Sequence, residues 1–247
     1  MGDDVQEQKN RERIFREKTE PYGEFTLREK SAWWNLVELK NAACRLDLRP
    51  GQRILDAGCS DGRFLDFLAA QKKGFDLVGF DFALNPLKAT RARGIPAGLV
   101  CADICRMPFK SSTFDRAVAL GVVQQIPGSE ERARALRDFY RVLRPGGRFA
   151  IQVLNRASWK DMVANGKEGP LLTCPELYVY LYDENDLRCE LTAAGFSVKE
   201  IMGSNYVPVR YLKKMGVVGV FLDMLMTRIA HGWSFPKGRY LLAICEK

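Results

Sequence analysis

Ile54-Leu55-Asp56-Ala57-Gly58-Cys59-Ser60-Asp61-Gly62 is the stretch that decides the fold. Its first residues read as a short apolar strand, and Phe64, Leu65, Leu68 and Ala69 then recur at helical spacing. Between strand and helix lies a turn bracketed by Gly58 and Gly62. Glycines there let the backbone approach a ligand closely and take up conformations that other residues avoid. In an open parallel sheet, ligands bind beyond the carboxyl ends of the strands, so this turn is placed to hold one.

The same alternation runs outward from the turn. Residues 77–80 form a second apolar strand; Asn85 and Pro86 read as the N-cap and first residue of a helix that Gly94 closes. A third strand is expected over 99–101 and a fourth over 114–120. Ser129, followed by Glu130 and Glu131, starts a helix running through Leu136 and Tyr140 to Leu143. Pro145-Gly146-Gly147 reads as a turn before a fifth strand at 149–153. A helix over 183–194, stopped by Gly195, and strands at 196–202 and 240–245 complete the pattern. Upstream, Leu27, Ala32, Leu36, Leu39 and Ala43 recur helically until Pro50-Gly51 ends the segment. Strands alternating with helices, and lacking polar alternation of their own, mean an α/β fold: a doubly wound, mostly parallel sheet covered on both faces. Residues 1–24 are a charged leader in which little chemistry is expected, and 25–247 make one domain. Stretches 155–182 and 204–237 interrupt the pattern and read as lids.

Composition bounds the partners. Hydrophobic residues make up 47% of the 247, enough for a buried core. The formal net charge of +8 suits RNA, an anionic membrane surface or an acidic substrate, and equally a solvated arginine-rich surface. Seven cysteines in no paired pattern fit reduced thiols and a cytoplasmic protein, and a single histidine leaves no multi-histidine metal site; no metal is expected. The polar start carries no secretory signal, and the apolar run 215–226 is too short to span a bilayer.

Three ligand classes compete for the glycine turn. A dinucleotide would use Asp81, 23 residues after Gly58, on its ribose, but Ser60 breaks the G-x-G-x-x-G pattern and Asp56 would oppose a pyrophosphate. A hydrolase would use Gly58-Cys59-Ser60-Asp61-Gly62 as a nucleophile elbow with His231, but no strands precede it and no oxyanion segment is present. S-adenosylmethionine (SAM) has no phosphate, so acids near the turn are welcome. Asp56 can face its cationic end, directly or through water; Asp81 can accept from both ribose hydroxyls; Asp103 can accept from the adenine amino group. These acids follow three successive strands at steps of 25 and 22 residues.

Over about residues 50–155 the chain resembles the class I SAM-dependent methyltransferases. ILDAGCSDGRF looks like their first motif, GFDFALNPL their ribose-binding acidic motif and CADICRMPF their adenine-binding motif. FDRAVALGVVQQI and RVLRPGGRFAI resemble the fourth-strand motif and the helix, turn and strand that follow. The resemblance implies a class I methyltransferase-type, seven-stranded sheet with an antiparallel last strand, GRYLLAICEK being a terminal edge strand beside strand five. It implies a cofactor site of Asp56, Gly58, Cys59, Ser60, Asp61, Gly62, Asp81, Phe82, Asp103, Ile104, Leu120, Gly121 and Gln125. Ser60 departs from the family, where glycine is frequent; Cys59 would contribute mainly backbone.

Methyl transfer from a sulfonium is an in-line displacement in which the protein mainly positions and desolvates. The lip after strand four carries Gln124 and Gln125, without an Asn/Asp-Pro-Pro-Tyr tetrad or an acidic metal triplet. His231, in the second lid, is the candidate catalytic base. Tyr178, Tyr180 and Tyr182 either line a pocket or pack as an extended segment. The apolar, methionine-containing second lid, flanked by Arg210, Lys213, Lys214 and Arg228, reads as a helix that caps the core, or else as a pocket for a small or lipid-like acceptor or an interfacial helix against anionic lipid. Arg132, Arg134, Arg137, Arg141, Arg144 and Arg148 would serve tRNA or another RNA instead. A non-catalytic partner subunit on the same fold is the remaining alternative.

Overall fold

The computed structural model describes residues 2–18, 32–229 and 238–247. Helix α1 (Gly2–Lys18) is followed by α2 (Ala32–Ala43) and then by the alternating part of the chain. That part runs β1 (Arg53–Ala57), α3 (Arg63–Ala69), β2 (Asp76–Asp81), α4 (Leu84–Ala92), β3 (Ala97–Cys101), β4 (Phe114–Leu120), α5 (Ser129–Val142) and β5 (Leu143–Leu154). Next come a short helix α6 (Arg156–Trp159), the strands β6 (Glu168–Leu171) and β7 (Cys174–Tyr180), α7 (Glu184–Ala193), β8 (Ser197–Ser204), α8 (Val209–Met215), α9 (Val217–Ile229) and β9 (Tyr240–Glu246).

Seven strands form one sheet in the order β3-β2-β1-β4-β5-β9-β8, and β6 and β7 make a separate two-stranded hairpin. Strands β1 to β5 are mutually parallel, and β9 is antiparallel to both neighbours. Alternate residues of one strand feed two cores. Leu55, Ala57, Val78 and Phe80 pack with Leu136 and Phe139 of α5 and Leu187 and Leu191 of α7. Ile54, Leu77, Val118 and Ala150 pack on the other face with Leu39 of α2, Phe64, Leu65 and Leu68 of α3, and Leu87 of α4. Coverage of both faces is why the strands carry no polar alternation. Phe139 and Phe149 stack at 4.3 Å between ring centroids, and Phe196 continues the stack at 5.4 Å from Phe149.

Three local expectations need correction. The terminal strand β9 is not an edge: it lies between β5 and β8, bonded on both sides, and the edges are β3 and β8. Pro145-Gly146-Gly147 is a bulge inside β5, not a turn before it. Phe114 pairs with Leu143 but Arg116 with Arg148, so the extra residues loop out, and Gly146 takes φ +73°. Helix α4 begins at Leu84 with Ala83 in the N-cap position, so Asn85 and Pro86 lie within its first turn. Ala83 has no capping side chain; Glu17 of α1 supplies one from outside, accepting from the amides of Leu84 at 2.6 Å and Asn85 at 3.0 Å.

The two expected lids are built differently. Residues 155–182 contain α6 and the β6–β7 hairpin, and 204–237 contain α8 and α9. Among the described residues, no helix is long and apolar enough to cross a membrane.

Candidate active site

At the carboxyl end of β1 the chain folds into a tight turn. Gly58, Ser60 and Gly62 take φ values of +67°, +49° and +80°. A Cβ on Gly58 would collide with the side chain of Val122, and one on Gly62 would lie 2.6 Å from Thr90 Cγ2. Both glycines are therefore required by space as well as by backbone angle. Ser60 has no such glycine freedom and holds a left-handed conformation at some cost.

Asp81, at the end of β2, fastens this turn. Its Oδ2 accepts from the Ser60 amide at 3.0 Å and its Oδ1 from the Ala83 amide at 3.0 Å. Thr90 of α4 donates to the Ser60 carbonyl at 2.9 Å. Asp81 is buried, and that burial raises its carboxyl above the usual range despite the two amides. Phe82 beside it is half-buried.

Asp56 is buried at the end of β1, and burial pushes its carboxyl up to about 7. The nearby Asp81, Asp61 and Glu38 push the same way and Arg63 opposes them. Arg63, the first residue of α3, donates to Asn35 of α2 at 2.7 Å and lies 4.0 Å from Glu38 and 3.9 Å from Asp61. The Nδ2 atom of Asn35 is buried without a hydrogen-bond partner. Cys59 is also buried, and desolvation raises its thiol pKa, so it offers no ready thiolate.

Asp103 follows β3 and caps a single turn at 104–106 by accepting from the Cys105 amide at 2.9 Å. Burial alone would raise its carboxyl, but that amide and Lys9 outweigh it and hold it below the usual value. Ile104 next to it is half-buried. Leu120, which ends β4, and Gly121 after it are half-buried, and the Gly121 amide donates to the Gln152 carbonyl at 2.9 Å.

The glutamine pair splits. Gln124 is buried and accepts from the Leu154 amide at 2.7 Å, which holds the loop after β4 to β5. Gln125 is half-buried and accepts from Arg16 of α1 at 3.1 Å. The three tyrosines have local partners: Tyr178 donates to Glu168 at 2.5 Å, Tyr180 to Asp186 at 3.0 Å and Tyr182 to Glu190 at 2.7 Å. His231 lies outside the described residues.

Helix α1 crosses this site. Lys9 reaches Asp103 at 3.1 Å and Glu131 at 2.8 Å, and Arg16 pairs with Glu12 at 3.3 Å. Glu12 is buried, which pushes its carboxyl up to about 7; Arg16 opposes this and Asp81 adds to it. Gln8 donates to the Glu176 carbonyl of β7 at 3.1 Å, so α1 and the β6–β7 hairpin meet over the same edge of the sheet. Little chemistry is expected of so charged a leader from its sequence. Lys9, Glu12 and Arg16 stand at i, i+3 and i+7 on one helix face, a spacing hidden in a run with no apolar stripe.

Of the arginines on and after α5, five are engaged within the chain. Arg132 is buried over the Tyr180 ring at 3.9 Å and lies 3.3 Å from Glu190. Arg134 meets Glu131 at 3.1 Å, Arg141 meets Asp138 at 2.8 Å, Arg144 meets Asp115 at 2.6 Å and Arg148 meets Glu246 at 3.7 Å.

Residues 55–151 match the family model described as a methyltransferase domain. A demethylmenaquinone methyltransferase of Corynebacterium urealyticum is 30% identical over 64% of this chain and 73% of its own length. A probable tRNA methyltransferase 9B of Mus musculus is 31% identical over 56% of this chain. The chain spans 28% of that protein, and less than half of two further curated relatives that it matches. The solved structure of an S-adenosylmethionine-dependent methyltransferase from Mesorhizobium loti superposes with a TM-score of 0.65 at 18% identity, covering 85% of this chain and 98% of the other. With the fold and the acid-lined turn described above, these matches define the class: the chain belongs to the class I SAM-dependent methyltransferases.

Proposed function

We propose that this chain transfers the methyl group of SAM to a small or lipid-like acceptor, mainly by positioning it. When bound, SAM supplies a methyl group already activated on a sulfonium. Asp81 would take the ribose hydroxyls, with Phe82 beside it, and Asp103 and Ile104 the adenine. Asp56, Asp61 and the turn from Gly58 through Cys59 and Ser60 to Gly62 would take the amino-acid end. Leu120, Gly121 and Gln125 would line the transfer side.

The residues suit this cofactor. Acids gather around the turn, where a ligand without phosphate is tolerated; burial raises the carboxyls of Asp56 and Asp81, and a cation beside Asp56 would offset that cost. The buried, unpartnered Nδ2 of Asn35 is a donor of the kind a ligand carboxylate takes up.

One observation carries the acceptor class. Helix α1 covers the carboxyl ends of the strands, with Lys9 on Asp103, Arg16 on Gln125 and Glu17 on the start of α4, and it touches the β6–β7 hairpin through Gln8 and the Glu176 carbonyl. A roofed site admits a small molecule or a lipid-like tail more readily than a folded RNA. Two further facts agree. Five of the six arginines that would hold RNA phosphates have carboxylate partners of their own. The chain also covers 73% of the menaquinone-type relative against 28% of the tRNA-type one. The reading of tRNA as acceptor rests on the net charge and on several tRNA methyltransferases among the relatives, each covered to under a third of its length.

The test is a methylation assay with labelled SAM on fractionated cell extract, with lipid-soluble, aqueous small-molecule and RNA pools counted separately. Label in either of the first two pools is expected. Label confined to RNA would overturn the proposal.

A further inference from the structure

Helix α9 is built inside out. A helix on the surface of a globular domain turns its apolar stripe inward and its polar side chains to water. Here the buried positions are Gly219, Val220, Asp223 and Thr227, and the two polar ones are fully buried. Asp223 accepts from the Val207 amide at 2.7 Å, and Thr227 lies 3.5 Å from Asn41 of α2. The opposite face carries Val217, Val218, Phe221, Leu222, Leu225 and Ile229, all exposed; Phe221 is 64% and Val217 66% exposed. Tyr211 and Met215 of α8 extend the patch. Eight of the eleven large apolar side chains exposed among the described residues thus lie on these two helices. A patch this continuous on one surface marks a site of contact.

The charges around it say with what. Lys214 and Arg228 are exposed at the two ends of the stripe, and the exposed face of α9 bears no acid. Beside α9 a groove is lined by Lys40, Lys73, Leu48, Phe67 and Met224; its one acid, Asp47, is paired with Arg49 and Arg116. A second copy of the chain would bring the same cations face to face with these. An anionic bilayer complements them. The 13 residues of α9 make a rod about 20 Å long, shorter than the hydrocarbon core is thick, so the helix would lie in the interface and not cross it.

We infer that the α8–α9 face docks the protein onto anionic membrane surfaces, with Phe221 and its apolar neighbours entering the headgroup region and Lys214 and Arg228 meeting lipid phosphates. This inference stands apart from the identity of the methyl acceptor.

The test is flotation of the full chain with phosphatidylcholine vesicles, with and without 30% phosphatidylglycerol. The wild type is expected to float with the anionic vesicles. Phe221→Asp, at an exposed position that packs on no core, is expected to bind roughly ten-fold more weakly. A Lys214→Glu, Arg228→Glu pair is expected to lose the preference for anionic over neutral vesicles. SAM affinity by calorimetry should be unchanged in both variants, which separates a docking failure from a failed cofactor site. No flotation of the wild type, or equal flotation of Phe221→Asp, would overturn the inference. So would a wild-type dimer in light scattering that Phe221→Asp converts to monomer without any vesicle binding, since a second copy would then be the occupant.

Discussion

Lys9 and Asp103 are 94 positions apart in the chain, yet the lysine Nζ lies 3.1 Å from the carboxylate Oδ2. Asp103 is the acid that follows β3, and Lys9 belongs to a helix whose composition suggests only a solvated leader. The contact means that α1 is fastened to the very group proposed to receive adenine. Lys9 keeps a second hold on Glu131 at 2.8 Å, so α1 need not detach when Asp103 is claimed by a ligand.

From this follows the first prediction. Lys9→Met removes a competitor for Asp103. The pair is partly solvated, with side chains 15% and 41% exposed, so its worth is small, on the order of 0–1 kcal/mol. SAM affinity should rise two- to five-fold, and amide exchange in residues 2–18 should quicken. Weaker binding in calorimetry would show that Lys9 supports the bound state instead.

Asp81→Ala should weaken SAM binding at least ten-fold and also lower thermal stability. The carboxylate joins the amides of Ser60 and Ala83, so truncation leaves two donors unpaired as well as the proposed ribose contact, at about 1–3 kcal/mol. Calorimetry and a melting curve report the two effects separately. Wild-type affinity in this variant would sink the ribose assignment.

Ser60→Gly should do the reverse to stability. Ser60 sits at φ +49°, where a side chain costs about 1–2 kcal/mol, and glycine relieves that while adding some freedom to the unfolded chain. A rise in Tm of roughly 1–3 °C is expected, with SAM affinity unchanged within two-fold. A fall in Tm would mean that the serine side chain makes a contact worth more than the strain.

Much of this was legible in the sequence, for a physical reason. Strands β1 to β4 read as continuous apolar runs, helices α3 and α5 carry apolar periodicity, and the three strand-end acids announce themselves by spacing. What the sequence hid depends on contacts between distant segments. Glu17 caps α4 across 67 positions, which no local N-cap rule can see. Glu38 and Asn35 join the glycine turn only because α2 packs beside α3, and neither has a motif around it. Pro145-Gly146-Gly147 reads as a turn from its residues, but the pairing of β4 with β5 on both sides absorbs it as a bulge. Helix α9 was legible as apolar; that its apolar side faces outward depends on where Asp223 is buried.

The last prediction concerns pH. Asp56 and Glu12 are buried acids whose carboxyls are pushed up to about 7, against about 4 in the unfolded chain. Between these values the folded state holds more protons than the unfolded one, so stability falls as pH rises from about 4 to about 7 and levels off above it. A positively charged ligand reverses the balance at Asp56. Its cation favours the ionised carboxylate, as Arg63 already does in part, so binding should release a proton below pH 7. SAM affinity should therefore climb three- to ten-fold between pH 6 and pH 8. The neutral thioether S-adenosylhomocysteine should climb less if Asp56 faces the sulfonium, and equally if it faces the amino group that both molecules carry. Asp56→Asn should bind SAM more weakly and flatten the slope, because no proton is left to release there. Calorimetry in two buffers of different ionisation enthalpy measures the proton directly. A pH-independent affinity in the wild type, with no proton released, would remove Asp56 from the cationic end of the cofactor and leave it as a structural acid of the turn.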